Sequence, residues 1–141
     1  MIVRRHDLEL PFVVESKAYY YATNDFDEAL YLVAYLNAKV INSAVKPFQS
    51  KGQFGERDIH KKILEFRLPK FTPHDELHQK LVGVARCAVQ KAEEFILGKK
   101  YDANGNSLGA FELGRVRNEV REVLAPELAE IDVVLGEILR A

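Results

Sequence analysis

At 141 residues, with 48% hydrophobic and 29% charged residues, the chain is long enough for one domain with its own core, and its composition is that of an ordinary globular protein. A formal net charge of −1 excludes a generic polyanion binder, so any nucleic-acid contact must come from a local patch. A single cysteine, Cys87, excludes an intrachain disulfide and fits a reducing cytoplasm, while the lack of a long apolar run, a leader or a repeat argues against membrane insertion and solenoid architectures.

The first ten residues read as a strand that Pro11 interrupts. Residues 12–23, FVVESKAYYYAT, are rich in β-branched and aromatic side chains and read as one strand or a bent pair. Tyr19, Tyr20 and Tyr21 alternate faces there, so at least one should be partly exposed. A helix over residues 25–45 follows. Asp25 and Glu28 give it a D-x-x-E start, with Asn24 a competing cap. Ala29, Leu32, Val33, Leu36 and Val40 form one apolar face, and Leu30, Tyr31, Ala34, Tyr35 and Ile41 cover much of the rest, so burial on most sides is expected. Asn37 and Asn42 are expected to bond to neighbouring backbone, and Pro47 ends the helix.

The basic stretch comes next. Between residues 46 and 70 there are seven Lys/Arg against three Asp/Glu. Lys46, Gln49, Lys51, Gln53, Arg57, His60, Lys61 and Lys62 are the candidate DNA-binding side chains, with Gly52 and Gly55 allowing close approach of backbone. Arg57 and Gln53 can bond bidentately to base edges, whereas the lysines suit phosphates. Glu56 and Asp58 flank Arg57 and could instead tie it up in an ion pair; Phe48 and Phe54 could stack on bases or anchor the loop. Residues 63–68, ILEFRL, alternate as a half-buried strand and stop at Pro69.

Pro73 opens a second helix, with Thr72 as cap and Asp75 and Glu76 in the first turn. Its stripe of Leu77, Leu81, Val84, Ala85, Ala88, Ala92 and Phe95 carries it to about Leu97, with Gly98 as C-cap. His74 and His78 have metal-ligand spacing but no visible third ligand, so both read as surface residues, and Cys87 reads as packing. Residues 101–109 are rich in turn formers. Residues 113–140 form a further helical region, which Pro126 either kinks or restarts and whose apolar stripe should pack antiparallel on the preceding helix or on a partner.

The run EALYLVAYLNAKVINSAVKPFQSKGQFGERDIHKKILEFRLPKF resembles the C-terminal region of large DNA adenine methyltransferases. There a helix of the pattern YL-x-x-x-LN-[SA]-x-x-x-N leads through a loop into a strand that ends at a proline. The similarity continues in HDELHQKLVGVARCAVQKAEE and ends in PELAEIDVVLGEILR. The resemblance implies the target-recognition part of a restriction-modification methyltransferase, with DNA and a methylase domain or subunit as partners. S-adenosylmethionine would bind only in that associated methylase domain, and no cofactor or metal is expected in this chain. The motifs that would hold the cofactor and the target adenine, such as N-P-P-[YF] or D-P-P-Y, are missing here, as are Walker A, GxGxxG, HExxH and GxSxG patterns.

The expectation is therefore an α+β fold: a small β-sheet packed by one buried helix, followed by a C-terminal pair of long helices. It comprises a unit over residues 1–97, a connecting loop over 98–112 and a helical segment over 113–141 packed on the same domain. The alternative is a protein-interaction module that docks a partner, or a second copy, through apolar C-terminal helices without touching DNA. A small-molecule enzyme is the weakest of the three readings.

Overall fold

A computed structural model of the chain describes residues 21–48, 51–52, 55–56, 68–97, 99 and 110–140. Its helices are α1 (Phe26–Asn37), α2 (Lys39–Val45), α3 (Glu76–Leu97), α4 (Ala110–Val123) and α5 (Ala125–Ile138), with a 3₁₀ turn over Lys46–Phe48. Among the described residues, strand pairing is confined to β1 (Lys51–Gly52) and β2 (Gly55–Glu56), an antiparallel two-residue ladder. The architecture is all-α, which corrects the expected α+β fold with a small sheet. The surface assigned to a sheet is covered by helices: α1 packs on α3 and α5. The expected strand over residues 1–10, and most of those over 12–23 and 63–68, lie outside the described residues; residues 21–25 and 68 are irregular.

Side-chain cross-links give the helix directions. Tyr31 meets His78 and Asp27 meets Arg86, so rising numbers in α1 pair with falling numbers in α3. Lys91 meets Glu127 and Lys99 meets Glu119, so the chain through α4 and α5 also runs antiparallel to α3. The 22-residue α3, about 33 Å long, is thus the axis against which α1 and α5 lie. The core is one cluster: Leu30, Tyr31, Ala34, Tyr35, Ala38, Ile41 and Val45 from the first two helices, Leu81, Val82 and Ala85 from α3, and Ile131, Val134, Leu135 and Ile138 from α5. The expected antiparallel packing of the C-terminal helical region on the preceding helix is what the fold contains.

The local signals held in several places. The Asp25 carboxylate accepts from Asp27 N–H at 2.9 Å and Glu28 N–H at 3.2 Å and caps α1. Glu28 turns outward, accepting from the Thr23 hydroxyl at 2.6 Å and from Tyr21, which is exposed as one of the three tyrosines had to be. Pro126 restarts the chain as α5 rather than bending one helix. Helix α4 begins three residues before the expected position 113. For α3 the cap is Asp75 rather than Thr72: its carboxylate accepts from Leu77 N–H at 2.9 Å and His78 N–H at 3.0 Å, and residues 72–75 form a turn.

The expected single helix over 25–45 is two. At Ala38 the backbone is extended (φ −62°, ψ 135°). Asn37 satisfies itself locally by donating from Nδ2 to Val33 O at 2.8 Å, and Ala38 N–H bonds Tyr35 O. Nothing in α2 itself caps its start; instead Asp132 of α5 accepts from Val40 N–H at 3.3 Å. The buried face is also the second of the two read from the sequence: Leu36 and Val40, assigned to the primary face, are 47% and 43% exposed.

Within α5 the contrast between neighbours is a direct test. Leu135 is wholly buried, so Leu135→Ala should cost about 2–5 kcal/mol of unfolding free energy. Val133 is 60% exposed, and Val133→Ala should stay within about 0.5 kcal/mol. Denaturant unfolding of the two variants checks the assignment; equal losses would mean that α5 presents a different face to the core.

Candidate functional site

The basic stretch joins α2 to α3, and the structure describes only its edges and one turn. Lys46 opens the 3₁₀ turn and is exposed, and Phe48 at the end of that turn is exposed too. Lys51 lies in β1, where its Cα pairs with Glu56 of β2 and Gly52 pairs with Gly55. The two glycines thus face each other at the inner end of the antiparallel ladder. Gln49, Gln53, Arg57, His60, Lys61 and Lys62 lie outside the described residues. Lys46 and Lys51 thus share one short segment, and the ladder sets Glu56 opposite Lys51.

At the end of the basic stretch, ahead of α3, the chain is fastened by a polar cluster around the buried Tyr31 and His78. Leu68 and Phe71 are half-buried against the core. Between them, the Pro69 carbonyl accepts from the Tyr31 hydroxyl at 3.0 Å. Thr72 N–H then donates to Nδ1 of His78 at 3.0 Å. A backbone N–H can only donate, so Nδ1 is an acceptor and the neutral ring carries its proton on Nε2, which faces the Tyr31 oxygen at 3.5 Å. The polarity runs in one sense: Thr72 N–H to His78, His78 Nε2–H toward Tyr31, Tyr31 O–H to Pro69. The rings of Tyr31 and His78 are 4.8 Å apart at their centroids, and Phe71 lies 5.5 Å from Tyr31 and 6.2 Å from His78, closing the cluster with aromatic surface.

His78 corrects the expectation of a surface histidine: it is 6% exposed and is the buried polar residue of the described core. The signal was present. His78 precedes Leu81 by three and Ala85 by seven, which puts it on the apolar stripe of α3. Its partners could not be read, because Tyr31 lies 47 positions away. Cys87 is corrected in the other direction, being exposed rather than packed. Both ring nitrogens of His78 are engaged by the protein, and no group of three or more His, Cys, Asp or Glu suited to a metal occurs among the described residues. The cluster holds backbone: Tyr31 bonds the Pro69 carbonyl and His78 bonds Thr72 N–H.

Burial pushes the Tyr31 phenol up to about 12, with the charge of Asp75 and the neighbouring Tyr35 adding to the effect. Burial also raises the Tyr35 phenol, whose oxygen has no hydrogen-bond partner among the described residues. Around the bundle, charge pairs tie helices together. Arg86 bonds Asp27 and lies over the Phe26 ring, Lys91 bonds Glu127 at 2.9 Å, and Lys99 bonds Glu119 at 2.9 Å. The hydrogen bonds from Lys91 and Lys99 hold the carboxyls of Glu127 and Glu119 below the usual glutamate range.

Scanned against protein-family models, and compared with curated proteins and with solved structures, the chain matches none. No helix among the described residues is long and apolar enough to cross a membrane.

The two tyrosines should respond oppositely to loss of the hydroxyl. Tyr31→Phe strips the Pro69 carbonyl of its donor and should cost about 1–3 kcal/mol, whereas Tyr35→Phe removes a buried hydroxyl with no partner and should be neutral or stabilising. Thermal or denaturant unfolding of both variants checks this pairing. Tyr31 also sets a pH dependence. Its folded value lies above the ordinary 10, so its contribution is fully present below pH 10 and is lost as pH rises through about 12. Stability measured from pH 9 to 12 should fall less steeply in Tyr31→Phe than in the parent; parallel curves would contradict the burial of this phenol.

Proposed function

We propose that the chain is the target-recognition part of a DNA adenine methyltransferase of the restriction-modification type, a helical bundle that presents a basic hairpin-containing segment to DNA. The observation that supports the reading is the concentration of positive charge in the stretch that joins α2 to α3. Residues 46–70 hold seven Lys/Arg and three Asp/Glu, which leaves thirteen basic against eighteen acidic residues elsewhere. A polyanion is attracted to that segment and repelled by the remainder, which fixes orientation as well as affinity. A two-stranded ribbon is also one of the shapes that the major groove admits, and the pairing of Lys51–Gly52 with Gly55–Glu56 supplies its beginning.

The residues that carry the resemblance support the same reading. Tyr31, Asn37, Ala38 and Pro69 belong to the matched pattern, and each has a structural task at one end of the basic stretch. Asn37 and Ala38 make the break that redirects the chain into α2 before the stretch begins. Tyr31 and Pro69 fasten it where it ends. In this reading Lys46, Lys51, Lys61 and Lys62 contact phosphates, Gln53 and Arg57 contact base edges, and Gln49 and His60 complete the surface. The methyl donor and the adenine pocket belong to a separate methylase domain or subunit.

Of the apolar stripe over residues 113–140 on which the interaction-module reading rests, Leu128, Ile131 and Leu135 face the bundle's own core, while Leu113 is exposed. The DNA reading is tested by fluorescence-anisotropy titration of duplex DNA over a range of salt, with the chain alone and together with its methylase. Replacing Lys51, Lys61 and Lys62 by alanine should weaken binding to every sequence and reduce the slope of log K against log salt by up to about 0.9 per lost phosphate contact. Arg57→Ala should cost about 1–3 kcal/mol on the preferred site and relax the preference. An unchanged salt slope in the triple variant would reject DNA as the ligand of this segment.

A further inference from the structure

We propose that Tyr31 and His78 form a proton-operated latch: protonation of His78 at Nδ1 releases residues 69–72 from the bundle. The inference stands on the geometry of the cluster and does not depend on DNA being the ligand. The bond from Thr72 N–H uses the Nδ1 lone pair as its acceptor. When a solvent proton takes that lone pair, the ring presents N–H to N–H, the bond is lost, and a cation stands where His78 is buried beside the rings of Tyr31 and Phe71. Opening the segment returns the imidazolium to water and frees Thr72 N–H to bond with solvent. The Tyr31 bond to the Pro69 carbonyl holds the adjacent turn of the same segment, so both contacts let go of one short piece of chain.

The surroundings decide the direction. From α1 the facing titratable groups are Tyr31 and Tyr35, both neutral with phenols raised by burial. On the segment itself Lys70 is exposed and Thr72 is uncharged. At the start of α3, His74 and Glu76 are exposed, and Asp75 is the carboxylate of this corner. Asp75 is committed to the helix cap, its Oδ1 already accepting from Leu77 and His78 N–H groups. The antiparallel register brings the end of α5 toward this corner, where Ile138 is buried while Glu137 and Arg140 are exposed. Among the described residues, the groups in contact with the ring are thus a backbone donor, a phenol and apolar surface, with the charge of Asp75 reaching Tyr31, and an imidazolium gains no new hydrogen-bond acceptor from the groups in contact with it.

The test uses the full chain and nuclear magnetic resonance. The protection of the Thr72 amide against hydrogen exchange, corrected for its intrinsic rate, should fall at least about tenfold between about pH 8 and pH 5, while the amides of Leu81 and Val82 in mid-α3 keep theirs. In His78→Gln, where the side-chain oxygen accepts from Thr72 N–H but does not titrate over this range, that loss should disappear. Constant Thr72 protection, or the same loss in His78→Gln, overturns the latch. The imidazole nitrogen shifts of the parent chain decide the matter even if the variant does not fold. A neutral ring with its proton on Nε2 at pH 8, becoming doubly protonated in step with the loss of Thr72 protection, is the expected result. A proton on Nδ1 at pH 8, or ring protonation without loss of Thr72 protection, overturns it.

Discussion

Helix α3 has apolar surface to hide from two directions at once, and the rest of the bundle is placed by that demand. Leu81, Val82 and Ala85 sit at the seam where α1 closes from one side and α5 from the other. Alanines at 85 and 88 keep that surface low, so neighbouring helices can approach closely. Each large side chain hidden in this way contributes roughly 1.5–3 kcal/mol, well above what an exposed ion pair supplies. The charge pairs at Asp27, Glu127 and Glu119 therefore choose direction and register more than they add stability. The same seam carries His78 inward, one polar ring on an otherwise apolar stripe. Its position makes it the natural receiver for any chain segment that must be fastened to the bundle.

That arrangement separates two kinds of surface. The bundle carries most of the acidic residues and is fixed by packing; the basic stretch follows α2 in the chain and is fastened at Pro69 and Thr72. A stretch held at both ends loses less entropy on meeting a partner than a free tail would, because its ends are already in place. The Tyr31 and His78 cluster thus has a bearing on binding that no contact with a ligand would reveal. It sets where the stretch rejoins a rigid frame and, through the state of one imidazole, whether it does so.

Much of the helical skeleton was legible in the sequence. Asp25 marked a helix start and Pro126 a kink or a restart through chemistry that is local: a short carboxylate that bonds first-turn amides, and a ring that lacks an N–H. The stripe of α3 was equally clear, since polar residues on its other face define the period. The face of α1 was not, because FDEALYLVAYLN is apolar nearly all round and periodicity alone does not choose between its sides. The break at Ala38 was hidden for a different reason: the group that caps the second helix is Asp132, far away in the chain. The expected sheet failed because a helix with a wide apolar surface needs some layer against it, and the sequence does not say whether that layer is a sheet or more helices. Of the candidate recognition residues, the sequence supplied the charge of the stretch and its glycines; the residues that fasten its end, Tyr31 and His78, became visible only in three dimensions.

The carboxylate of Asp132 at the start of α2 ties the order of events during synthesis to the geometry of the basic stretch. It accepts from a backbone N–H 92 residues upstream. On the ribosome, α1 and α2 emerge long before α5, and until α5 has emerged and docked, the first amides of α2 lack this acceptor. The turn at Ala38 is local, with its N–H on Tyr35 O, and the arrival of α5 then supplies the acceptor for the first turn of α2. A carboxylate on α5 thus completes, late and from a distance, the start of the helix that leads into the basic stretch.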